Sequence, residues 1–307
     1  MKESLFEQRL LALHYVHPVP LNKIQPLLDA DPELRILEKI GANELAHLLK
    51  LPADKARRIA DLYKEVVATS FQQAYRFHGI IPIPFNHEYY PSLLHELVDP
   101  PAVLYVKGKL EYLVENWKIA VIGSRKATSY TERAMETIIP PLVEHNMVIV
   151  SGLAKGADTM AHHSAIKYGG KTIAVLGSGH FHIYPKENTQ LAEYLSTNHL
   201  LLTEYPPYTG PKRWQFPMRN RIISGLSNGV VVTEAAKKSG TLSTMEHALE
   251  HGKDIFAVPG PIHSELSLGP HQLLLEGAKP VWNGYQIVEE TIQPKWPNHA
   301  YDEKKLH

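Results

Sequence analysis

The 307-residue chain predicts an α/β protein: a mostly parallel sheet with helices on both faces, preceded by a small all-helical domain. Three observations carry that expectation. Beyond Trp117, short and nearly continuous apolar runs alternate with amphipathic ones, the pattern of parallel strands covered by helices on both faces. Before about residue 67, apolar residues recur at helical spacing instead. Third, several of the apolar runs end in glycine-bearing loops that precede a helix.

In chain order, residues 1–67 are expected to form a helical domain. Leu5 to Val16 and Ala42 to Val67 carry the helical spacing, while Pro18, Pro20, Pro26 and Pro32 divide the chain between them. Leu48 to Ala56 has the outline of a helix-hairpin-helix turn but lacks the hairpin glycines that would offer N–H groups to phosphate, so a packed module for protein contacts is expected. Residues 68–115, rich in proline and aromatics, form a connecting segment on the main domain. There Val103 to Lys107 reads as a strand that extends the sheet and ends in a turn at Gly108. Residues 116–290 are the main domain. Its strands are expected at Lys118–Ile122, Met147–Val150, Thr172–Leu176, Leu200–Thr203, Gly229–Thr233, Asp254–Val258 and Pro280–Trp282, with helices such as Tyr130–His145 and Asp158–Tyr168 between them. Residues 291–307 form a polar tail. In such sheets ligands meet the carboxyl ends of the strands.

Composition narrows the function classes. Cysteine is absent, which removes disulfides, thiolate metal sites and a cysteine nucleophile and fits a reducing cytoplasm. The N-terminus carries acids and no long apolar run, and no stretch is long and apolar enough to suggest a membrane span. Lys plus Arg equals Asp plus Glu at 32 each, so any nucleic-acid site must be a local basic patch. The 18 histidines are scattered without metal-ligand spacing, and no metal site is expected.

The strand exits are richer. The first leads into Gly123-Ser124-Arg125, the second into Gly152, Lys155, Gly156 and Asp158, the third into Gly177-Ser178-Gly179 and then Tyr184-Pro185-Lys186. Glycine after a strand can simply make a turn, or it can let backbone N–H groups approach an anion at a helix N-terminus. Three such loops on one edge favour an anion or nucleotide-backbone site. None matches the dinucleotide or triphosphate signatures. The fourth exit, Tyr205 to Arg221, reads as a long loop with four basic and four aromatic residues and no acid. Lys212, Arg213, Arg219 and Arg221 would neutralise phosphate, while aromatic faces stack unpaired bases. Trp214 can stack or pack, and Phe216, ahead of Pro217, also suits an anchor. Carboxylates near the strand ends are Asp158, Glu204, Glu234 and Glu246. Glu234, ending an apolar strand, is either functional or buried and paired. No nucleophile elbow or triad order is present.

Together Ile119 to Arg125, Ser151 to Asp158, Tyr184 to Asn188, Phe216 to Ser227, Lys238 to Leu242 and Phe256 to Gly260 resemble the DNA-processing protein A (DprA, or Smf) family of bacteria. The resemblance covers about Ile80 to Trp282, and the Phe-Pro-x-Arg-Asn-Arg-Ile-Ile-x-Gly-Leu-Ser run is highly specific. It implies an extended Rossmann-like fold, a sterile-alpha-motif-like N-terminal domain, and sequence-independent binding of single-stranded DNA. It further implies a recombination mediator that protects incoming DNA and helps load RecA during natural transformation. The family acts as a homodimer without a cofactor and is not an enzyme. By motif match the DNA contacts are Arg125, Lys186 and the basic loop ending Arg219-Asn220-Arg221. Leu249 and Leu274 lie on helices where the family dimerises, or in the core.

Departures from the family pattern are Ala157 where isoleucine is usual, Gln215 where histidine often precedes Phe-Pro, and Thr241 and Ser243 in the Ser-Gly-Ser-Leu-Ile-Thr run. The winged-helix domain that ends many members is expected to be absent. Two alternatives are a nucleoside-monophosphate phosphoribohydrolase and a nucleotide-sensing module. Against the first, Thr244 stands where those enzymes carry their catalytic glutamate, and Glu246 comes two positions late. Against the second, one small nucleotide does not need four cations and four aromatics.

Overall fold

A computed structural model describes residues 4–237, 245 and 248–292. The chain begins with helices α1 (Leu5–Val16), α2 (Leu21–Ala30), α3 (Ala42–Leu48), α4 (Ala53–Val66) and α5 (Phe71–Phe77). Ser4 and Glu7 form a reciprocal capping box on α1, satisfying two N–H groups that a helix start leaves open. The expected helical run from Ala42 to Val67 is two helices. Lys50 turns the backbone left-handed at φ 51° and Pro52 precedes α4, so the helix cannot run through.

Two strands follow, β1 (Ile81–Pro84) and β2 (Val103–Gly108), with the short α6 (Ser92–His95) between them. The rest alternates: β3 (Lys118–Ile122), α7 (Ser129–Glu144), β4 (Val148–Ser151), α8 (Ala157–Lys167), β5 (Lys171–Val175), α9 (Thr189–Asn198), β6 (Leu200–Thr203), α10 (Gln215–Gly225), β7 (Gly229–Val232), β8 (Asp254–Ala257), α11 (Leu268–Leu275), β9 (Lys279–Pro280) and α12 (Gly284–Ile292). All strands join one sheet in the order β1-β2-β6-β5-β4-β3-β7-β8-β9. From β6 to β9 every pairing is parallel. At one edge β2 pairs antiparallel with both β6 and β1.

Alternation of side chains along a strand sorts the core into layers. Ala120 and Ile122 pack on one face with Val150, Val232 and the α10 residues Ile222 and Ile223. Ile119 and Val121 pack on the other with Met135 and Ile138 of α7 and Ala161 of α8. β2 is divided the same way: Leu104 and Val106 join the sheet core, while Val103 and Tyr105 join Leu10, Ile59 and Tyr75 of the helical region. The buried His14 Nδ1 meets the Tyr105 hydroxyl at 2.9 Å. Among the described residues no helix is long and apolar enough to cross a membrane.

Since β4, β5 and β6 build outward from one side of β3 and β7 to β9 from the other, the strand order reverses between β3 and β7. The exits of β3 to β6 therefore gather on one half of the carboxyl edge.

Candidate nucleic-acid interface

Three of those exits, after β3, β5 and β6, line one open cleft of about 530 Å³, formed by Arg125, Tyr184, Lys212, Arg213, Phe216 and Pro217 among others. A narrower recess shares Arg125, Tyr184 and Phe216 and continues to Gly152, Lys155 and Arg219. Among the described residues no carboxylate lines either space. Three exposed cations, Arg125, Lys212 and Arg213, thus face a cleft whose walls carry two aromatic rings. Tyr184 and Phe216 lie with ring centres 5.2 Å apart and planes inclined at 52°.

Each wall has a local cause. Gly156 has φ +74°, and a Cβ there would come within 2.4 Å of the Ser124 carbonyl oxygen, so the second loop can lie against the first only with glycine at that position. At Gly152 a Cβ would stand 2.6 Å from both the Arg219 guanidinium and the Asp158 carboxylate. That carboxylate accepts the N–H groups of Gly152 at 3.1 Å and Ala154 at 3.3 Å. Burial raises the Asp158 carboxyl, and Arg219 opposes that shift. Phe216 lies over Gly177, where a Cβ would come within 2.7 Å of the ring. Gln215 is buried and accepts the Lys212 N–H through its side chain, which shapes the loop that carries Lys212 and Arg213.

The glycine loops therefore work differently from the anion-cradle reading. Gly152 N–H is taken by Asp158, and Ser124 N–H donates to the Glu234 carbonyl. Gly123 is needed because a Cβ would meet Thr233 Oγ1 at 2.5 Å. These residues set the shape, and the side-chain cations supply the charge.

The segment from Tyr205 to Arg221 is a loop only as far as Trp214. Helix α10 starts at Gln215, because Pro217 falls in its first turn, where a missing N–H costs nothing. The helix turns Arg219 and Arg221 inward. Arg221, 1 % exposed, pairs with Glu204 and lies 3.1 Å from Asp99. It sits outside the cleft, which corrects the expectation that it contacts DNA: a guanidinium neutralised inside the protein cannot meet phosphate. Arg219 is also buried and donates to the carbonyls of Gly152 and Val175, tying α10 to the ends of β4 and β5. It nonetheless forms part of the floor of the recess. Asn220 accepts a 3.2 Å hydrogen bond from Arg219 Nε and is half-buried.

Lys155 lines the recess and pairs with Glu187 at 2.7 Å on the surface. Lys186 is exposed two residues beyond Tyr184 and is not a lining residue. Leu249 is exposed, whereas Leu274 packs against the sheet core. Tyr184 was not singled out by the sequence reading; its signal was an aromatic beside a proline and a lysine in a strand exit.

The acid candidates are engaged within the protein. Glu204 holds Arg221. Glu234 accepts Thr128 N–H at 2.7 Å and the Thr131 hydroxyl at 2.8 Å. Its carboxylate sits at the N-terminus of α7 beside the strand-order reversal, where doubly wound sheets seat a phosphate. Of its two open readings, buried and paired is the observed one. Thr244 and Glu246 lie outside the described residues, as do Lys238 to Leu242 and residues 293–307. Among the described residues no cluster of metal-ligating side chains occurs.

The family model for DNA recombination-mediator protein A matches residues 82–292. The chain is 46% identical to the DNA processing protein DprA of Bacillus subtilis over 217 residues, covering 71% of this chain and 73% of that one. It is 48% identical to DprA of Streptococcus pneumoniae over 66% of this chain and 71% of that one. Among solved structures, that of Streptococcus pneumoniae DprA superposes with a TM-score of 0.80 at 36% identity, covering 95% of this chain and 99% of that one. A Helicobacter pylori DNA processing protein A, described by its single-stranded DNA binding mode, superposes with a TM-score of 0.61 at 30% identity, over 66% of this chain and 92% of that one. With a matched model over most of its length, close relatives over about two thirds of it and a similar solved structure covering 95% of it, the chain belongs to the DNA recombination-mediator protein A family.

Proposed function

We propose that the chain binds single-stranded DNA without base preference, through the cleft at the exits of β3 to β6. The observation that carries this reading is the cleft's composition: three exposed cations and two aromatic rings, with no acid among its described lining residues. Cations neutralise phosphates, and ring faces stack unpaired bases of any sequence. The name of the Helicobacter pylori relative, with its single-stranded DNA binding mode, supports the same ligand. As a member of its family the protein acts as a recombination mediator in the cytoplasm, protecting incoming strands and helping to load RecA during natural transformation. It works as a homodimer, with the exposed Leu249 as the candidate contact position, and needs no cofactor.

It acts by binding rather than by hydrolysis. Asp158, Glu204 and Glu234 are each held by backbone N–H groups, an arginine or threonines, which leaves none of them poised as a general acid or base. Fluorescence-anisotropy titration with a single strand, a blunt duplex and a mononucleotide in one buffer tests the reading. Tightest binding is expected for the single strand, and no free base is released from a nucleoside monophosphate. Equal or tighter affinity for the duplex, or base release at an enzyme-like turnover, would overturn it.

A further inference from the structure

Outside the cleft a second set of rings is exposed. Phe77, at the end of α5, is 87 % exposed, and Tyr208, before the basic loop, is 60 % exposed. Between them stand His78 and Phe181. Ring centres are 5.2 Å apart for Phe77 and His78, 4.9 Å for His78 and Phe181, and 4.7 Å for Phe181 and Tyr208. The planes meet at 90°, 75° and 64°, so the rings pack edge to face and leave faces open to solvent. Large apolar side chains gathered this way on a surface mark an interaction site rather than chance exposure.

Two further facts point to the occupant. Three segments build the ladder, residues 71–85, 171–186 and 205–221, and none contains an aspartate or glutamate. Arg76 is exposed beside Phe77, and a Cβ at Gly79 would lie 3.7 Å from Lys107 Cε, which places a second cation against the same turn. The ladder is also continuous with the cleft. Phe181 N–H donates to the Pro207 carbonyl and Gly179 N–H to that of Thr209, so the two loops run together. Three residues beyond Phe181 comes Tyr184, and three beyond Tyr208 comes Pro211, both in the cleft wall, a span of at most about 10 Å.

We propose that the Phe77–His78–Phe181–Tyr208 ladder is a second stacking subsite for the same DNA strand, carrying it from the cleft across the β5 and β6 exits onto the helical region. The proposal rests on the single-strand reading of the cleft and assigns α5 a direct part in binding. A ring face that stacks a base resembles the platforms of other single-strand binders, where removing one weakens binding about 5-fold or more.

The test compares oligothymidylates of about three nucleotides, short enough to stay in the cleft, and about twenty, enough to reach α5. The wild-type chain is expected to bind the longer strand more tightly. Phe77→Ala is expected to weaken that longer strand about 5-fold or more while leaving the short one unchanged, which also serves as the folding control, and Phe77→Trp is expected to retain the affinity. Unchanged binding of both lengths by Phe77→Ala, Phe181→Ala and Tyr208→Ala would overturn the subsite while leaving the cleft reading intact. An equal loss on both lengths would overturn it too, since the change would then act through the cleft or the fold. If the Phe77→Ala chain bound DNA normally but altered its sedimentation, the ladder would be a protein interface instead. Failure of the wild-type chain to bind either length would remove the cleft reading and the subsite with it.

Discussion

Arg219 and Arg221 sit two residues apart on α10 and both point inward, whereas Arg125, on the β3 exit, is exposed at the cleft. Their substitutions should therefore separate. Arg221→Ala strands the buried Glu204 carboxylate, and breaking a buried pair from one side costs about 3–5 kcal/mol. In a domain of this size that is a fall in melting temperature of roughly 10 °C, readable by calorimetry; an unchanged melt would contradict the structural role. Arg125→Ala should melt like the wild type. Gly152→Ala places a methyl where the Arg219 guanidinium and Asp158 carboxylate already stand. It should cost about 1–3 kcal/mol and weaken DNA binding by displacing the recess floor. Full stability in a denaturant titration would show that the loop has room it does not display.

The strands at Lys118–Ile122 and Leu200–Thr203 were legible to the residue, because unbroken apolar runs between helices leave few other readings. α10 was not. A proline in its first turn and two arginines within it read as loop, and only the tertiary partners Glu204, Gly152 and Val175 explain why the cations turn inward. Tyr184 was hidden for a related reason: its tilted contact with Phe216 joins two separate strand exits, a proximity that spacing along the chain does not encode. Helix-to-strand ties also set a pH dependence. His14 ties α1 to β2 through Tyr105, and His162 ties α8 to β5 through Thr172 at 2.7 Å. Burial lowers both imidazoles from 6.5 to about 3. Between those values the unfolded chain binds more protons than the folded one, so stability is full above about pH 6.5 and drains away as pH falls towards 3. Each histidine contributes up to about 1.4 kcal/mol per pH unit in that window. The melting temperature should fall from pH 7 to pH 5; a flat profile would show that these rings are protonated in the fold.

Across the whole molecule the charges cancel, yet three exposed cations gather in one cleft on one half of the sheet's carboxyl edge. At the strand-order reversal, Glu234 fills the N-terminus of α7, which leaves the neighbouring cleft as the proposed seat of an anionic ligand. That division explains how a doubly wound sheet lacking the dinucleotide glycine signature can offer a polyanion a site. The most direct test of it is the salt dependence of oligothymidylate affinity for the wild-type chain and for Arg125→Ala, with melting temperatures measured alongside. If Arg125 meets a phosphate in the cleft, its loss reduces the log–log slope by about 0.7 and weakens binding at unchanged melting temperature. Identical slope, affinity and melting temperature in the two proteins would contradict the assignment of the cleft as the DNA site.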